Sequence, residues 1–586
     1  MRMNPLVSKV HAKARRRSTE YAALFAILFA PAQSAQPPAQ SSETRDQTSA
    51  MTMGIPLPTT LAGWSAGARL FDGLGDYHRS VSTKLPEAQR YFDQGMRLLW
   101  GFNHDESTRS FARALELDPT CAMCAWGVAL TVGPNYNVPM LAEARAKIAF
   151  EATKRAQSLA TAAAPVEQAL ISTLVQRYPN AQPLDPQSTV PILMAHAAAM
   201  RAVARRYPGD LDVQTLYAES MMNVHAWKLW SSDGRPAEGT TEIIATLESV
   251  LKRDPLHMGA LHYYVHAVEA SPHPERGLAA AARLRTLAPA AGHLVHMPAH
   301  IFHRVGRYEE SAEANRKGAA ADVAYLAKTK PIDYYPAMYV SHNYQFLAYS
   351  AAAEGREAET LDAVRRSRAS VSDAQLQEMP GTDWYVAELY TAPVRFGRWD
   401  MLLAQAPPAP GSASLTGGYL YATSVALAAK NRPAEARERL AQLDTLIAGL
   451  SADVPAGQNT LHDVLAVARR VAAARISSAE GRGEDAIRDM REAVVLEDGL
   501  AYDEPAGWFF PVRHLLGAEL LRVGKANDAA RTYRDDLARH PGNGWALYGL
   551  MQALKAEGRG AEASAAEAEF RTAWRQATIS IGASAF

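Results

Sequence analysis

The chain has 586 residues, too many for one compact core, and no sharp compositional break appears beyond about residue 60, which favours one long array over unrelated domains. Lysine plus arginine and aspartate plus glutamate balance at 61 each, so no net field would draw the chain to nucleic acid or to an anionic membrane. Alanine, leucine, glutamate and arginine dominate, and the composition reads helical.

The N-terminus reads as a targeting segment. Lys13 and the run Arg15-Arg16-Arg17 precede an apolar stretch from Tyr21 to Ala30, and Ala30-Pro31-Ala32 supplies the small residues of a cleavage site, with Ala35 as an alternative. The stretch is too short for a permanent membrane span, and no cysteine near the cut offers a lipid anchor. We expect a signal peptide over 1–32, a disordered leader over 33–58, and a periplasmic or secreted protein.

A helix–turn–helix unit then recurs. Its clearest early copy runs from Pro86 to Pro119, with Gly95 allowing close helix contact, Phe111 and Ala114 in the second helix, and Asp118-Pro119 as terminator. His104 falls at the inter-helix turn, where capping or turn hydrogen bonding is expected. Next come the only cysteines, in Cys121-Ala122-Met123-Cys124. A local disulfide or a pair of buried thiols is the plainer reading, and a redox or metal role stays open; a structural zinc site would need a second pair. Residues 130–210 and 225–240 interrupt the repeat, the second with Trp227, Trp230 and Gly234. Asp254-Pro255 and Ala288-Pro289 end two further units, and inter-helix glycines recur at Gly306, Gly355, Gly397, Gly481, Gly524 and Gly558.

From Pro86 to about Ala577 the chain resembles tetratricopeptide repeat (TPR) proteins. It also resembles, more narrowly, a group of exported bacterial TPR proteins. The stretches are Gly101-Phe102-Asn103-His104-Asp105-Glu106, Cys121-Ala122-Met123-Cys124-Ala125-Trp126-Gly127, His296-Met297-Pro298-Ala299-His300 and Asn543-Gly544-Trp545-Ala546-Leu547. The resemblance implies an all-α helical-repeat superhelix, an α-solenoid. Within it we divide the chain into 59–210, a TPR-like region with an insertion, 211–370, a histidine-rich central region, and 371–586, a C-terminal region.

Eight of the 17 histidines lie between Pro255 and Gly306. The resemblance implies that the first helix of each unit lines the concave face through its second, fifth, ninth and twelfth places. Counted back from Gly306, these are His293, His296, His300 and His303. One unit earlier the fifth and ninth places are His262 and His266, and one unit later the second place is His342, with His225 as a further candidate. Val295, Ala299 and Phe302 form a separate stripe suited to packing, and Pro298 is placed to kink the helix. His257 and His273 fall outside the pattern, and His514 occupies a fifth place on a distant surface.

Imidazoles in this number, without thiolates or several carboxylates, favour copper, zinc or iron over calcium or magnesium. Aromatic company, including Tyr263, Tyr334, Tyr335, Tyr339 and Tyr344, suits a ligand groove equally well. There is no phosphate loop, no Gly-x-Ser-x-Gly elbow and no His-Glu-x-x-His motif. Two readings remain: an exported protein with a histidine-rich metal site in its groove, a reading that extends to a metalloenzyme, or a non-enzymatic scaffold whose groove holds a peptide, a protein segment or a small molecule. Whether it is an enzyme stays open.

Overall fold

A computed structural model describes residues 57–329, 335–379 and 381–586. The expected signal peptide, nearly all of the leader, and Tyr334 lie outside the described residues. The first helix pair is α1 (Pro86–Trp100) and α2 (His104–Leu117), followed by α3 (Ala122–Val132). Three helices fill the first insertion, Glu143–Leu159, Pro165–Arg177 and Pro186–Arg206. The central units are α4 (Leu211–Met222), α5 (Thr240–Arg253), α6 (Met258–Glu269), α7 (Leu278–Leu287), α8 (Gly292–His296), α9 (Pro298–Arg304), α10 (Tyr308–Leu326), α11 (Ser341–Ala353) and α12 (Glu357–Ala369). Each helix packs chiefly on its neighbours in sequence, giving an all-α superhelix of tetratricopeptide type. Among the described residues the only sheet is a two-residue antiparallel pair, Pro455–Ala456 with Asn459–Thr460. No helix among them is long and apolar enough to cross a membrane.

Local chemistry accounts for the punctuation. Helices α2, α5 and α7 stop before Asp118-Pro119, Asp254-Pro255 and Ala288-Pro289, because proline has no N–H to continue them. All six inter-helix glycines, from Gly306 to Gly558, adopt positive φ between 64° and 79°, a region where a Cβ is penalised.

The Phe111 ring is wedged between α1 and α3. A Cβ on Gly95 would stand 2.6 Å from it, and one on Gly127 would stand 2.4 Å away. Gly127→Ala should therefore lower stability by about 1–3 kcal/mol through overpacking. Gly560→Ala, where a Cβ meets nothing within 4 Å, should be neutral or mildly stabilising, and the two melting temperatures check the contrast.

The superhelix closes on itself. Near its end lie α13 (Val512–Arg522), α14 (Ala526–Arg539), α15 (Gly544–Ala556) and α16 (Gly560–Ala573). Trp545 Nε1 donates to Ala352 O at 2.8 Å, and Thr578 N donates to Gly355 O at 3.0 Å. The segment before α13 enters the inner face: Tyr349 donates to Ala506 O and Trp384 Nε1 to Gly507 O, while Asp503, Glu504, Trp508, Phe509 and Phe510 are buried. The concave face, expected as an open groove, is thus filled here by the chain itself. Two apolar cores, one spanning residues 64–339 and one 312–566, meet at α8–α11.

Candidate metal centre

Helix α6 carries His262 and His266, α8 and α9 carry His293, His296, His300 and His303, and α11 begins with Ser341-His342. The α8–α9 helix is interrupted at Met297-Pro298, as its proline predicts. The structure brings six of these side chains together as two trios. His262, His266 and His293 form one, and His296, His300 and His342 the other; within each, one nitrogen per ring lies within 4.8 Å of the others. The Nε2 atoms of His262 and His293 are 3.1 Å apart, those of His296 and His300 are 2.6 Å apart, and those of His342 and His296 are 3.0 Å apart. The trios adjoin, with ring centroids of His266 and His300 5.5 Å apart and of His293 and His296 5.8 Å apart.

The outward nitrogens have partners of their own. His262 Nδ1 meets Trp100 O at 2.6 Å, and His296 Nδ1 meets Asn315 Oδ1 at 2.6 Å. Asn315 Nδ2 is committed to Ser311 O, so its Oδ1 must accept. His266 Nδ1 and His300 Nδ1 meet the two oxygens of Glu269 at 2.7 and 2.5 Å, and Glu504 also lies against His300 Nδ1. With Nδ1–H donating outward to an oxygen that can only accept, a neutral His262 or His296 ring turns an Nε2 lone pair inward. The His296 Nε2 lone pair faces His300 Nε2 at 2.6 Å, so this pair calls for either a proton on His300 Nε2 or a cation between the rings. His266 Nε2 is buried with no hydrogen-bond partner among the described residues. Such a donor set could hold a cation. Metal–nitrogen bonds near 2.0 Å in a tetrahedral site hold two nitrogens about 3.3 Å apart, so the pair would need to open only slightly.

Electrostatics point the same way. Burial, then neighbouring imidazoles, holds His266, His293, His296 and His300 well below the usual histidine range, and His262 and His342 fall to about 3 and about 4. All six are therefore neutral and ligand-competent at neutral pH. Burial, then the charge of Glu504, pushes Glu269 well above the carboxylate range. Tyr502 donates to Glu504 Oε1 at 2.6 Å. Phe102 covers the first trio, 4.4 Å from His262 and 5.4 Å from His293, and does so at a φ of 54°. A left-handed non-glycine residue costs roughly 1–3 kcal/mol and tends to occur at functional sites. Phe346 stands 5.5 Å from His296 and 5.2 Å from His300 on the other side.

The remaining histidines lie elsewhere. His303 turns to Ser350 Oγ at 3.3 Å, and His225 ends a 3-10 turn over Asn223–His225, because the helix before it stops at Met222. His104 opens α2, but Asn103 caps that helix; both His104 ring nitrogens are covered beside Phe102 without a partner among the described residues, contrary to the hydrogen-bonding role expected for it. His257 caps α6, and His514 is buried against Asp536. Cys121 and Cys124 form a disulfide at the start of α3. The histidine stripe was expected to line an open groove, apart from the core. Instead His262, His266, His293, His296 and His300 are at most 3% exposed, because Phe102 and the Glu504 segment pack over them. Glu269, Glu504, Asn315 and Phe102 were missed as partners. Glu269, three residues after His266, was readable as an i+3 neighbour.

Asp322, buried beside the site, accepts from Tyr335 at 2.8 Å and Asn343 at 2.7 Å, yet burial pushes it up to about 7. Its folded-state value lies above its unfolded one, so its contribution is fully present below about pH 4 and is lost as pH rises through 7, by about 4 kcal/mol in all. The gap in melting temperature between Asp322→Asn and the parent should therefore move in favour of the variant from about pH 4 to pH 7 and then level off.

No family model matches the sequence, and no curated protein matches it. Solved repeat structures overlap it at low similarity. A human IFIT1 dimer with m7Gppp-AAAA is 12% identical over 84% of this chain and 91% of its own, at a TM-score of 0.30. Yeast Tom70 is 11% identical over 83% and 90%, at 0.28, and the P58(IPK) TPR domain is 11% identical over 81% and 99%, at 0.22. Overlaps of this kind say nothing about the site.

Proposed function

We propose that this chain is an exported metal-binding repeat protein that holds two transition-metal ions side by side, each in a three-histidine site. The observation that carries the reading is the convergence of six imidazoles into two trios, with the Nε2 atoms of His296 and His300 2.6 Å apart. His262, His266 and His293 would hold one ion, and His296, His300 and His342 the other. Neutral imidazoles suit copper, zinc or iron. Three protein ligands leave each ion an open position, where water or dioxygen can be activated, so the reading extends to a metalloenzyme. Glu269 touches one histidine of each trio and would orient both.

A peptide or protein partner would have to meet the repeats on a face other than this buried one. The experiment is elemental analysis of protein purified from the periplasm of an expressing bacterium, with intact mass recorded on the same sample. Two ions per chain and a mature N-terminus near Gln33 or Gln36 are expected. Protein carrying no stoichiometric metal rejects the site, and retention of residues 1–30 rejects export.

A further inference from the structure

A row of aromatic rings joins the first trio to a surface cavity. The His293 and Tyr339 ring centroids are 5.1 Å apart, Tyr339 and Tyr335 4.8 Å, Tyr335 and Tyr325 5.3 Å, and Tyr325 and Phe71 5.6 Å. Phe71, Tyr325 and Tyr335 line a cavity of about 180 Å³ together with Leu98, Ala324 and Lys328. Ala324 and Lys328 are exposed at its mouth. An apolar cavity of about 150 Å³ takes up benzene, so the space fits a single-ring molecule.

The phenols along this row are equipped to lose electrons. A phenol has a pKa near 10, and it gives up an electron readily only when its proton has somewhere to go. Tyr335 donates to Asp322 Oδ1 at 2.8 Å, and Tyr325 donates to Glu106 Oε2 at 2.9 Å. Burial places Asp322 at about 7, suited to taking a proton and returning it near neutral pH. Ordinary core packing explains this poorly. Phenylalanine would fill the same volume without burying hydroxyls and carboxyls that cost free energy to desolvate.

We propose that the cavity binds a small phenolic reductant, and that Tyr335 and Tyr339 carry its electron to a redox-active ion at His262, His266 and His293. This rests on the metal-centre reading above. Tyr335 loses one electron through Tyr339 to the oxidised ion, and its O–H proton moves to Asp322. The bound phenol then supplies one electron to the Tyr335 phenoxyl, Asp322 returns the proton, and the donor's own proton leaves through the open mouth. Dioxygen is the co-reactant. Two such transfers supply it with two electrons by way of the metal centre, and it takes up two protons, so that two phenols and one dioxygen give two phenoxyl radicals and one hydrogen peroxide.

The test uses the copper-loaded full chain with hydroquinone as donor, and it records copper content, dioxygen uptake and freeze-quenched electron paramagnetic resonance spectra. Tyr335→Phe and Tyr339→Phe should keep both coppers, while donor-dependent uptake falls about tenfold or more, a barrier change of about 1.4 kcal/mol. Oxidised parent without donor should show a phenoxyl signal that changes shape with ring-deuterated tyrosine and vanishes in Tyr335→Phe. Ala324→Trp, at the exposed mouth, should block hydroquinone turnover while keeping that signal, and it decides the matter even if the tyrosine variants fold poorly. Full copper with parental uptake in all three variants overturns the electron path and leaves the metal centre standing. Full copper in a parent with neither uptake nor radical does the same. A parent that binds no copper overturns the metal-centre reading itself.

Discussion

Replacing His300 with alanine is expected to remove one of two metal ions and leave the other in place. His300 belongs to the second trio, and also groups with His266, Glu269 and Glu504, through a ring 1% exposed and anchored on Glu269. His266→Ala should do the converse at the first trio. Neither change is silent for the fold, because each empties a buried ring's volume and strips Glu269 of one donor, at about 2–4 kcal/mol. Bound metal stabilises the parent further by mass action, by about 2.7 kcal/mol for a site at a hundredfold excess over its Kd. A chelator should thus lower the melting temperature of the parent more than that of either variant. Elemental analysis and melting curves with and without chelator check both halves; the same metal content in parent and variants would sink the assignment.

The second large effect is expected at Glu269, which is no ligand in either trio of imidazoles. Its two oxygens meet His266 Nδ1 and His300 Nδ1, so Glu269→Ala frees one ring of each trio at once. Loss of such an outer partner typically weakens metal binding by about 10–100-fold, and here both ions should weaken together. Asn315→Ala releases only His296 and should weaken the second site alone. Titration against a competing chelator separates the patterns. If Glu269→Ala moved only one of the two dissociation constants, the carboxylate would not be shared in solution.

The repeat was legible because its signals are local. Proline terminators and left-handed glycines act within a few residues, and Gly306, Gly355, Gly397, Gly481, Gly524 and Gly558 all take the conformation their position requires. The histidine register was partly legible for the same reason, since counting back from Gly306 locates His293, His296 and His300. What counting cannot supply is the break at Met297-Pro298, which turns His293 toward α6 and leaves His296 and His300 facing His342. His303, one turn further, swings to Ser350 instead. Glu504 reaches His300 from 204 residues away along the chain, and no periodicity reports such a contact. Burial escaped the sequence too, because the covering groups, Phe102 and the segment before α13, come from units far before and after the histidines.

That closure changes how the array comes apart. Open solenoids unzip from their ends, since each unit leans only on its neighbours. Here a Cβ on Gly306 would stand 2.1 Å from Pro541 O, and one on Gly355 2.4 Å from the Trp574 ring. The last helices therefore clasp the middle ones. Fraying of α15 and α16 would loosen the hydrogen bonds at Ala352 and Gly355, and with them the turn that follows α11, the helix of His342. Amides near Trp545 and near His300 should then exchange through one shared opening, with the terminal units as hard to peel away as the centre they fasten.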